Sequence, residues 1–530
     1  MHICESKTKN KKTGEVYVQH KLVESYRTEK GPRKRTIMGL GTLTVPHSEW
    51  KLLAHFLECE IRGQPTMPGV YDKGLEQLAN RLMSTNKLSK AREEPPANPH
   101  EDEEPVLVYM SSLTAKIRRS IGAELLCKKA WDLLGLSSIL KKLKFSAVMA
   151  SLAMALVFGR MISPGSEKHT IEWFRSRSAL QELPDFADLS KCGKDRFYNI
   201  ADDLYKHKEQ IEDMLFEKEQ NIFPHTDATI FLYDLTNTYL EGHGLNNKLA
   251  KRGHCKSKRY DCPLVTLALV VDDKGMPICS QVYRGNQPEA ETMETMIGKM
   301  NKRLHGNQIP IIKPTVAMDR GIATNDNVGW LQRNGYNYVV IRRGDESEEY
   351  RPQFENYRET FEVVSNKRSV YGDTNAVYVV EAPTEKCAEP LFGCYVIETT
   401  HVSLSAAAVW RLYMTLWHVE SAFRSMKHAL GIRPIYHQND DRTAAHLFIT
   451  VLGYHLLATI ENLLSEKGDN RTWETIREIM STTTRGTVTI KSASGKTYIT
   501  RVTDELEEAH KEIFDELDIK FSKNLVLTVI

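Results

Sequence analysis

The chain has 530 residues, 41% of them hydrophobic and 26% charged, and its 71 basic and 69 acidic side chains leave a formal net charge of +2. That length is too great for one core and points to roughly two to four domains of an ordinary globular composition. Nine scattered cysteines without a CxxC pair exclude a disulfide scaffold and suit a reducing compartment.

The opening "MHICESKTKNKK" is polar and basic, so no secretory leader is expected. Residues 1–36 carry ten Lys or Arg against four Glu, and ten minus four leaves +6. Such a basic end reads as a polyanion-facing surface or as a solvated charged face. Residues 15–27 and "TIMGLGTL" (36–43) are strand-like, and "TEKGPRKR" between them predicts a turn carrying Arg33, Lys34 and Arg35. A helix is expected from Ser48 to Arg62. "AREEPPANPHEDEEP" (91–105) is proline-rich and acidic, the composition of a linker. From Leu113 to Phe223 the pattern is helical throughout. Its most apolar run, 147–158, falls short of the ~20 residues that cross a bilayer and reads as a buried helix.

From residue 229 strands are expected at 230–239, 264–273, 277–285, 313–319 and 336–343, with "DDKG" turning the second into the third. Helices are expected at 288–304 and across "NDNVGWLQRNG", a β-rich insert over 344–403, and helical character from 405 to 464, including one helix at 405–430. Three strands, helix, strand, helix, strand, helix describes an α/β core with a mixed sheet, as in the ribonuclease H fold. The expected division is a basic β-hairpin region with a helix (1–90), the linker (91–106), a helical domain (107–225), the α/β domain with its insert (226–465) and a C-terminal region (466–530).

Two of these strands run apolar residues straight into an aspartate: "IFLYDLT" at Asp234 and "TVAMDRG" at Asp319. Strand ends in α/β sheets are where catalytic groups collect. If the first and fourth strands are neighbours, the two carboxylates lie close and call for a hard divalent cation between them. "YMTLWHVESAFRSMKHALG" supplies a third acid, Glu420, sharing roughly one helix face with Tyr413, Trp417, Arg424 and Lys427. Acid for metal, cations for phosphates and rings for an unpaired base make up a phosphodiester site. Each member also has a plainer reading: turn or cap for the aspartates, an i,i+4 surface pair for Glu420 and Arg424, core for Trp417. The joint pattern of element, end and order is more specific than any member.

At this point the chain resembles the DDE transposases of the insertion-sequence-four superfamily, whose last acid sits in Y-x2-R-x3-E-x6-K. Tyr413, Glu420 and Lys427 match, whereas Leu416 stands at the Arg position and Arg424 is the candidate substitute. "YDLTNTYLEG", "GNQPEAETM", "AMDRGIATNDNVGWLQRNGYNYVV" and "LGIRPIYHQNDDRTAAHLFITVLGYHLL" also read like blocks of that family, and the basic N-terminal hairpin like one of its long-chain subgroups. The resemblance implies Asp234, Asp319 and Glu420 as ligands of two Mg²⁺ or Mn²⁺ ions. It implies cleavage at the inverted-repeat ends of a mobile element, strand transfer into target DNA, and a homodimer in the DNA complex. No membrane partner or nucleotide cofactor is implied, and the cytoplasm, at the nucleoid, is the expected location.

The acid-free loop 246–259, with Lys251, Arg252, Lys256, Lys258 and Arg259, reads as a phosphate-contacting loop, and Arg320 as a phosphate contact or an ion-pair partner. His254, Cys255 and Cys262 lack the spacing of a zinc site. Two other readings stand beside the transposase: a DNA-binding descendant that no longer cuts, and a structure-specific nuclease on the same fold.

Overall fold

The computed structural model describes residues 1–9, 16–28, 31–62, 73–85, 106–224, 230–253, 261–305, 313–341, 397–520 and 524–529. Two compact units divide the chain, 1–106 and 107–530. In the first, β1 (His2–Lys9), β2 (Val16–Thr28) and β3 (Gly31–Gly41) form an antiparallel sheet in that order. The sequence pattern anticipates a hairpin; β1 is a third strand, in register with β2 from His2↔Val23 to Lys9↔Val16. Arg33, Lys34 and Arg35 lie in β3 opposite Tyr26, Ser25 and Glu24, rather than in the expected turn. Pro32 lies in β3, which is an edge strand of this sheet, the place where proline is tolerated. Strand alternation sends Arg33 and Arg35 to one face and Lys34 to the other. Helices α1 (Trp50–Arg62) and α2 (Lys73–Thr85) complete a separate core of Leu22, Met38, Leu40, Leu53, Leu57 and Leu75. The expected linker, apart from residue 106, lies outside the described residues.

The second unit opens on β4 (Thr114–Ser120), a strand where the sequence pattern predicts a helix. The helical layer follows: α3 (Gly122–Leu133), α4 (Leu136–Lys142), α5 (Ala147–Ile162), α6 (Glu167–Ser176), α7 (Lys194–Lys206) and α8 (Lys208–Ile222). Serine caps start two of these helices, the hydroxyls of Ser146 and Ser166 accepting from the N–H groups of Met149 and His169.

Then comes a six-stranded mixed sheet. Its strands are β5 (Ile230–Tyr239), β6 (Leu264–Val271), β7 (Pro277–Arg284), β8 (Thr315–Met318), β9 (Asn337–Ile341) and β10 (Ile397–Thr399), in the order β10-β9-β8-β5-β6-β7. Pairing is parallel from β5 through β8 to β9 and antiparallel elsewhere. Helices α9 (Met293–His305) and α10 (Asn325–Arg333) make the crossovers, so the order of elements agrees with the sequence pattern. At the β6–β7 turn Asp272 Oδ1 accepts from the N–H groups of Lys274 and Met276, and Gly275 takes the left-handed φ of +78° that the turn requires. Of the expected insert, residues 397–399 are the sheet's edge strand β10, and 344–396 lie outside the described residues.

Helical structure resumes as α11 (Ala406–Met414), α12 (Trp417–His428) and α13 (Asp440–Ser465). The end of the second unit then meets its own beginning. After α14 (Trp473–Met480), strands β11 (Thr484–Lys491) and β12 (Thr497–Thr503), α15 (Glu508–Glu516) and β13 (Asn524–Val529) build a second sheet, β13-β12-β11-β4. β4 is a strand because β11 pairs with it over a very long sequence separation. Local periodicity carries no trace of that partner.

Sheet faces follow residue parity. Leu232 and Ala317 join the core shared with α3, α5 and α13, whereas Phe231, Tyr233, Val316 and Met318 join a second core under α9 and α10. The helical layer therefore shares one core with the sheet. A charge cluster fastens the sheet's other edge to α8: Arg303 meets Glu212 at 3.1 Å and Asp213 at 2.7 Å, and Lys208 meets Glu212 at 2.8 Å and the Ser280 carbonyl at 2.7 Å. Helix α13 is long and apolar enough for a membrane span, yet 83% of its most apolar window is buried inside the protein. It is a core helix.

Candidate active site

Strand β5 does not end at Asp234; it continues to Tyr239, paired with β6 along its length. What ends there is the parallel partner. The β5–β8 ladder closes at Tyr233↔Met318, so Asp234 and Asp319 are the next residues on adjacent parallel strands. Asp234 follows Leu232 by two, and Asp319 follows Ala317 by two. By parity Asp234 belongs to the sheet face that packs on α12, and Asp319 is the first residue past the end of β8. Helix α12 brings Val419, Ala422, Phe423 and Met426 into that same core, which leaves Glu420 on its exposed side.

Asp319 heads a tight turn. Its backbone carbonyl accepts from the N–H groups of Ile322 and Ala323, and its Oδ1 accepts from the Arg320 N–H at 2.7 Å. The Arg320 side chain is exposed and makes no ion pair among the described residues, so its pairing with an acid is not seen. Asp234 is half-buried and Asp319 and Glu420 are exposed; together they would offer a set of oxygen donors only, and among the described residues their oxygens do not gather within 4.8 Å as a group of three. Such a set suits hard divalent cations that keep part of their water shell.

The signature helix departs from expectation in the middle. Thr415 and Leu416 separate α11 from α12, and the N–H groups of Leu416 and His418 donate to carbonyls three residues back, those of Tyr413 and Thr415. The Thr415 hydroxyl donates to the Leu412 carbonyl at 2.6 Å, competing with the helical ladder at that point. Tyr413 therefore sits on the preceding helix, half-buried against the core, its ring stacked on Trp410 at 6.3 Å. Leu416 is only 7% exposed and packs in the core, which accounts for an apolar residue where the motif has Arg. Trp417 is not core; it is 55% exposed beside His418. Trp417, Glu420 and Arg424 share the open face of α12, and Lys427 is half-buried. Among the described residues Glu420 and Arg424 make no ion pair with each other, so the plain i,i+4 surface pair is not what the helix contains.

The basic loop after β5 is described as far as residue 253. Asn247 builds its root: Oδ1 accepts from the Leu249 and Ala250 N–H groups, and Nδ2 donates to Thr443 Oγ1 at 2.7 Å. The Gly285 N–H donates to the Leu249 carbonyl, and a Cβ on Gly285 would come within 2.0 Å of the Leu264 carbonyl oxygen. Only glycine permits that approach. Lys251 and Arg252 project from this anchored root, both exposed. Lys256, Lys258, Arg259, His254 and Cys255 lie outside the described residues; Cys262 is buried, and its thiol donates to Asp261 Oδ2 at 3.2 Å.

A second group was not legible in the sequence. Glu167 at the start of α6, His437 in the loop after α12, and His446 on α13 bring three ligand atoms within 4.8 Å of one another, a set capable of coordinating a divalent metal ion. His437 Nε2 lies 2.8 Å from Glu167 Oε2, and His446 Nδ1 lies 3.1 Å from Glu167 Oε1. Burial, and then the neighbouring Arg160, push His446 down to about 4. Burial opposes ionisation of Glu167, but His446 and His437 outweigh it and hold the carboxyl well below its ordinary range. Glu167 stands about 270 residues from its partners, and no motif spacing links them.

Comparison with known families agrees with this organisation. Residues 225–456, which include Asp234, Asp319 and Glu420, match the family described as a transposase DDE domain. Residues 6–58 match the N-terminal domain of IS1634 family transposases. The chain thus has a DDE transposase domain behind a β-hairpin-rich N-terminal region. No curated protein matches it. Among solved structures it is similar to a cryo-EM structure of a piggyBac transposase synaptic complex with hairpin DNA, at 12% identity and a TM-score of 0.36, over 71% of this chain and 82% of that one.

Proposed function

We propose that the protein is a transposase that cleaves DNA at the ends of a mobile element and joins the freed ends to target DNA, acting as a homodimer on paired ends at the nucleoid. The observation that supports this reading is the register of β5 and β8, whose last pair, Tyr233↔Met318, is followed on each chain segment by an aspartate, Asp234 and Asp319. The strand order third, second, first, fourth, fifth, with the second reversed, supports a ribonuclease H-like core. In this reading Asp234, Asp319 and Glu420 hold two Mg²⁺ or Mn²⁺ ions. Bound there, the ions activate water or a 3′-hydroxyl and stabilise charge at phosphorus. The side chains do the rest. Arg424, Arg320 and the loop cations Lys251 and Arg252 hold backbone phosphates, and Trp417 offers an exposed ring to an unpaired base. The test is metal-dependent cleavage of the DNA flanking the reading frame. Binding of those ends without cleavage in Mg²⁺ or Mn²⁺ would favour a DNA-binding descendant. Cleavage of any branched DNA regardless of sequence would favour a nuclease.

Arg424 lies on the open face of α12 and, in this reading, supplies the charge that Leu416 cannot. Arg424→Ala is expected to slow cleavage of pre-bound ends roughly tenfold to a hundredfold, comparable to Lys427→Ala, since each removes a charge-assisted phosphate interaction. A near-wild-type Arg424→Ala rate beside a crippled Lys427→Ala would refute the substitution and leave the triad reading intact.

The first unit has its own core, so a fragment of residues 1–106 is expected to bind end DNA with an affinity that falls as salt rises. Arg35 is paired with Glu24 at 2.6 Å, whereas Arg33 and Lys34 make no ion pair among the described residues. Replacing Arg33 and Lys34 with Ala should flatten the log–log salt slope by about 0.9 for each phosphate no longer neutralised, and Arg35→Ala should do less. An unchanged slope would move the DNA-binding surface to the second unit.

A further inference from the structure

We propose that Glu167, His437 and His446 form a zinc site, distinct from the carboxylate triad, that pins the helical layer to the loop leaving the signature helix. The donor set is two imidazoles and one carboxylate, which suits a borderline transition metal better than Mg²⁺. Ligands about 2.0–2.1 Å from a tetrahedral ion lie roughly 3.3 Å from one another. The two imidazoles meet opposite oxygens of Glu167, His437 Nε2 at 2.8 Å from Oε2 and His446 Nδ1 at 3.1 Å from Oε1. One ligand atom from each of the three residues lies within 4.8 Å of the others, so an ion between them would need the carboxylate to turn or to bind through both oxygens.

The hydrogen bonding around His446 is contradictory without an ion. Arg160 NH2 lies 3.1 Å from Nδ1 and must donate to a lone pair there, while Glu167 Oε1, 3.1 Å from the same atom, needs a proton. One nitrogen cannot serve both. The other ring nitrogen, Nε2, is buried without a hydrogen-bond partner among the described residues, in a side chain 2% exposed. An ion between Nδ1 and Oε1 resolves the conflict. Arg160 keeps its NH1 contacts to the carbonyls of Gly165 and Gly431, and only its NH2 contact yields.

The group is also reachable. A cavity of about 760 Å³ borders Glu167 and His437, and Lys168, Tyr198, Arg433 and Arg442 line it. An ion therefore has an entry path and room for a water as fourth ligand. Glu167 begins α6, and His437 and His446 flank the start of α13, so the ion would bridge elements distant in sequence.

The test uses the full chain stripped with a chelator. One Zn²⁺ per chain should bind in competition with a chromophoric chelator, survive excess Mg²⁺, and raise the thermal midpoint. Co²⁺ at the site should give the intense visible absorption of a four-coordinate complex. His437→Asn, at the cavity wall, and Glu167→Gln should each weaken Zn²⁺ binding at least about tenfold. Asp234→Asn should leave it unchanged, which separates this site from the triad. Failure of the wild-type chain to bind Zn²⁺ stoichiometrically, or binding that His437→Asn and Glu167→Gln leave intact, would overturn the proposal.

Discussion

Asp234→Asn, Asp319→Asn and Glu420→Gln are each expected to abolish strand cleavage while end binding persists. Each change removes one anionic oxygen donor and keeps the shape of the side chain. Asp234 and Asp319 follow the last paired residues of two adjacent parallel strands, and Glu420 is exposed on the helix packed over that face. None of the three supports the apolar core, so folding should be indifferent to the substitutions. Metal-assisted phosphodiester cleavage draws several kcal/mol of transition-state stabilisation from its ions, so the loss should be about a thousandfold or more. The measurement is cleavage of pre-bound ends in Mg²⁺, with binding followed separately by gel shift. A variant that cuts within about tenfold of wild type would show that its residue holds no ion.

Arg303→Met should produce the largest loss of stability. Its guanidinium is nearly buried and reaches Glu212, Asp213, Glu209 and the Ile278 carbonyl, joining α9 and β7 to α8. Removing it strands the buried Glu212 carboxylate with Lys208 as its remaining cation, a loss of about 3–5 kcal/mol. The double change Arg303→Met with Glu212→Met should cost less than the sum of the single changes, because it no longer strands the Glu212 carboxylate, and Lys208 keeps Glu209 as its partner. Denaturant midpoints of the four proteins check this, and strict additivity would mean that the pair is not coupled. The same cluster predicts acid sensitivity. Burial works against ionisation of Glu209, but Lys208 and then Lys299 outweigh it and bring the group down to about 2. Glu212 is lowered in the same way by Lys208 and Arg303. Carboxyls depressed in the folded state stabilise it above their unfolded pKa and lose that contribution as pH falls through the folded pKa. Stability should therefore decline from about pH 4.5 towards pH 2, and less steeply in Glu209→Gln.

Several features could be read without coordinates because local chemistry encodes them. Apolar runs ending at Asp234 and Asp319, the "DDKG" turn and the helix of "NDNVGWLQRNG" all depend on near neighbours, and the order of strands and helices from 230 to 341 follows from them. Helical spacing likewise put Trp417, Glu420 and Arg424 on one face. It could not show that Thr415 would turn its hydroxyl onto the Leu412 carbonyl, which breaks the helix and carries Tyr413 out of line.

Other features arise only when distant segments meet. Residues 114–120 are a strand because 484–491 come to lie beside them, and Arg33 to Arg35 extend β3 because β2 offers a partner along its whole length. Tertiary packing also decided that Leu416 is core and Trp417 is solvent-facing, since a helix's buried face depends on what it packs against. The Glu167, His437 and His446 group belongs to the same class. By itself the sequence determined the element order of the sheet and the two apolar runs that lead into Asp234 and Asp319, through turn chemistry and hydrophobic period. The tertiary structure alone decided which strands became neighbours and which polar groups were buried together, because those pairings join residues whose separation leaves no periodic signal in the chain.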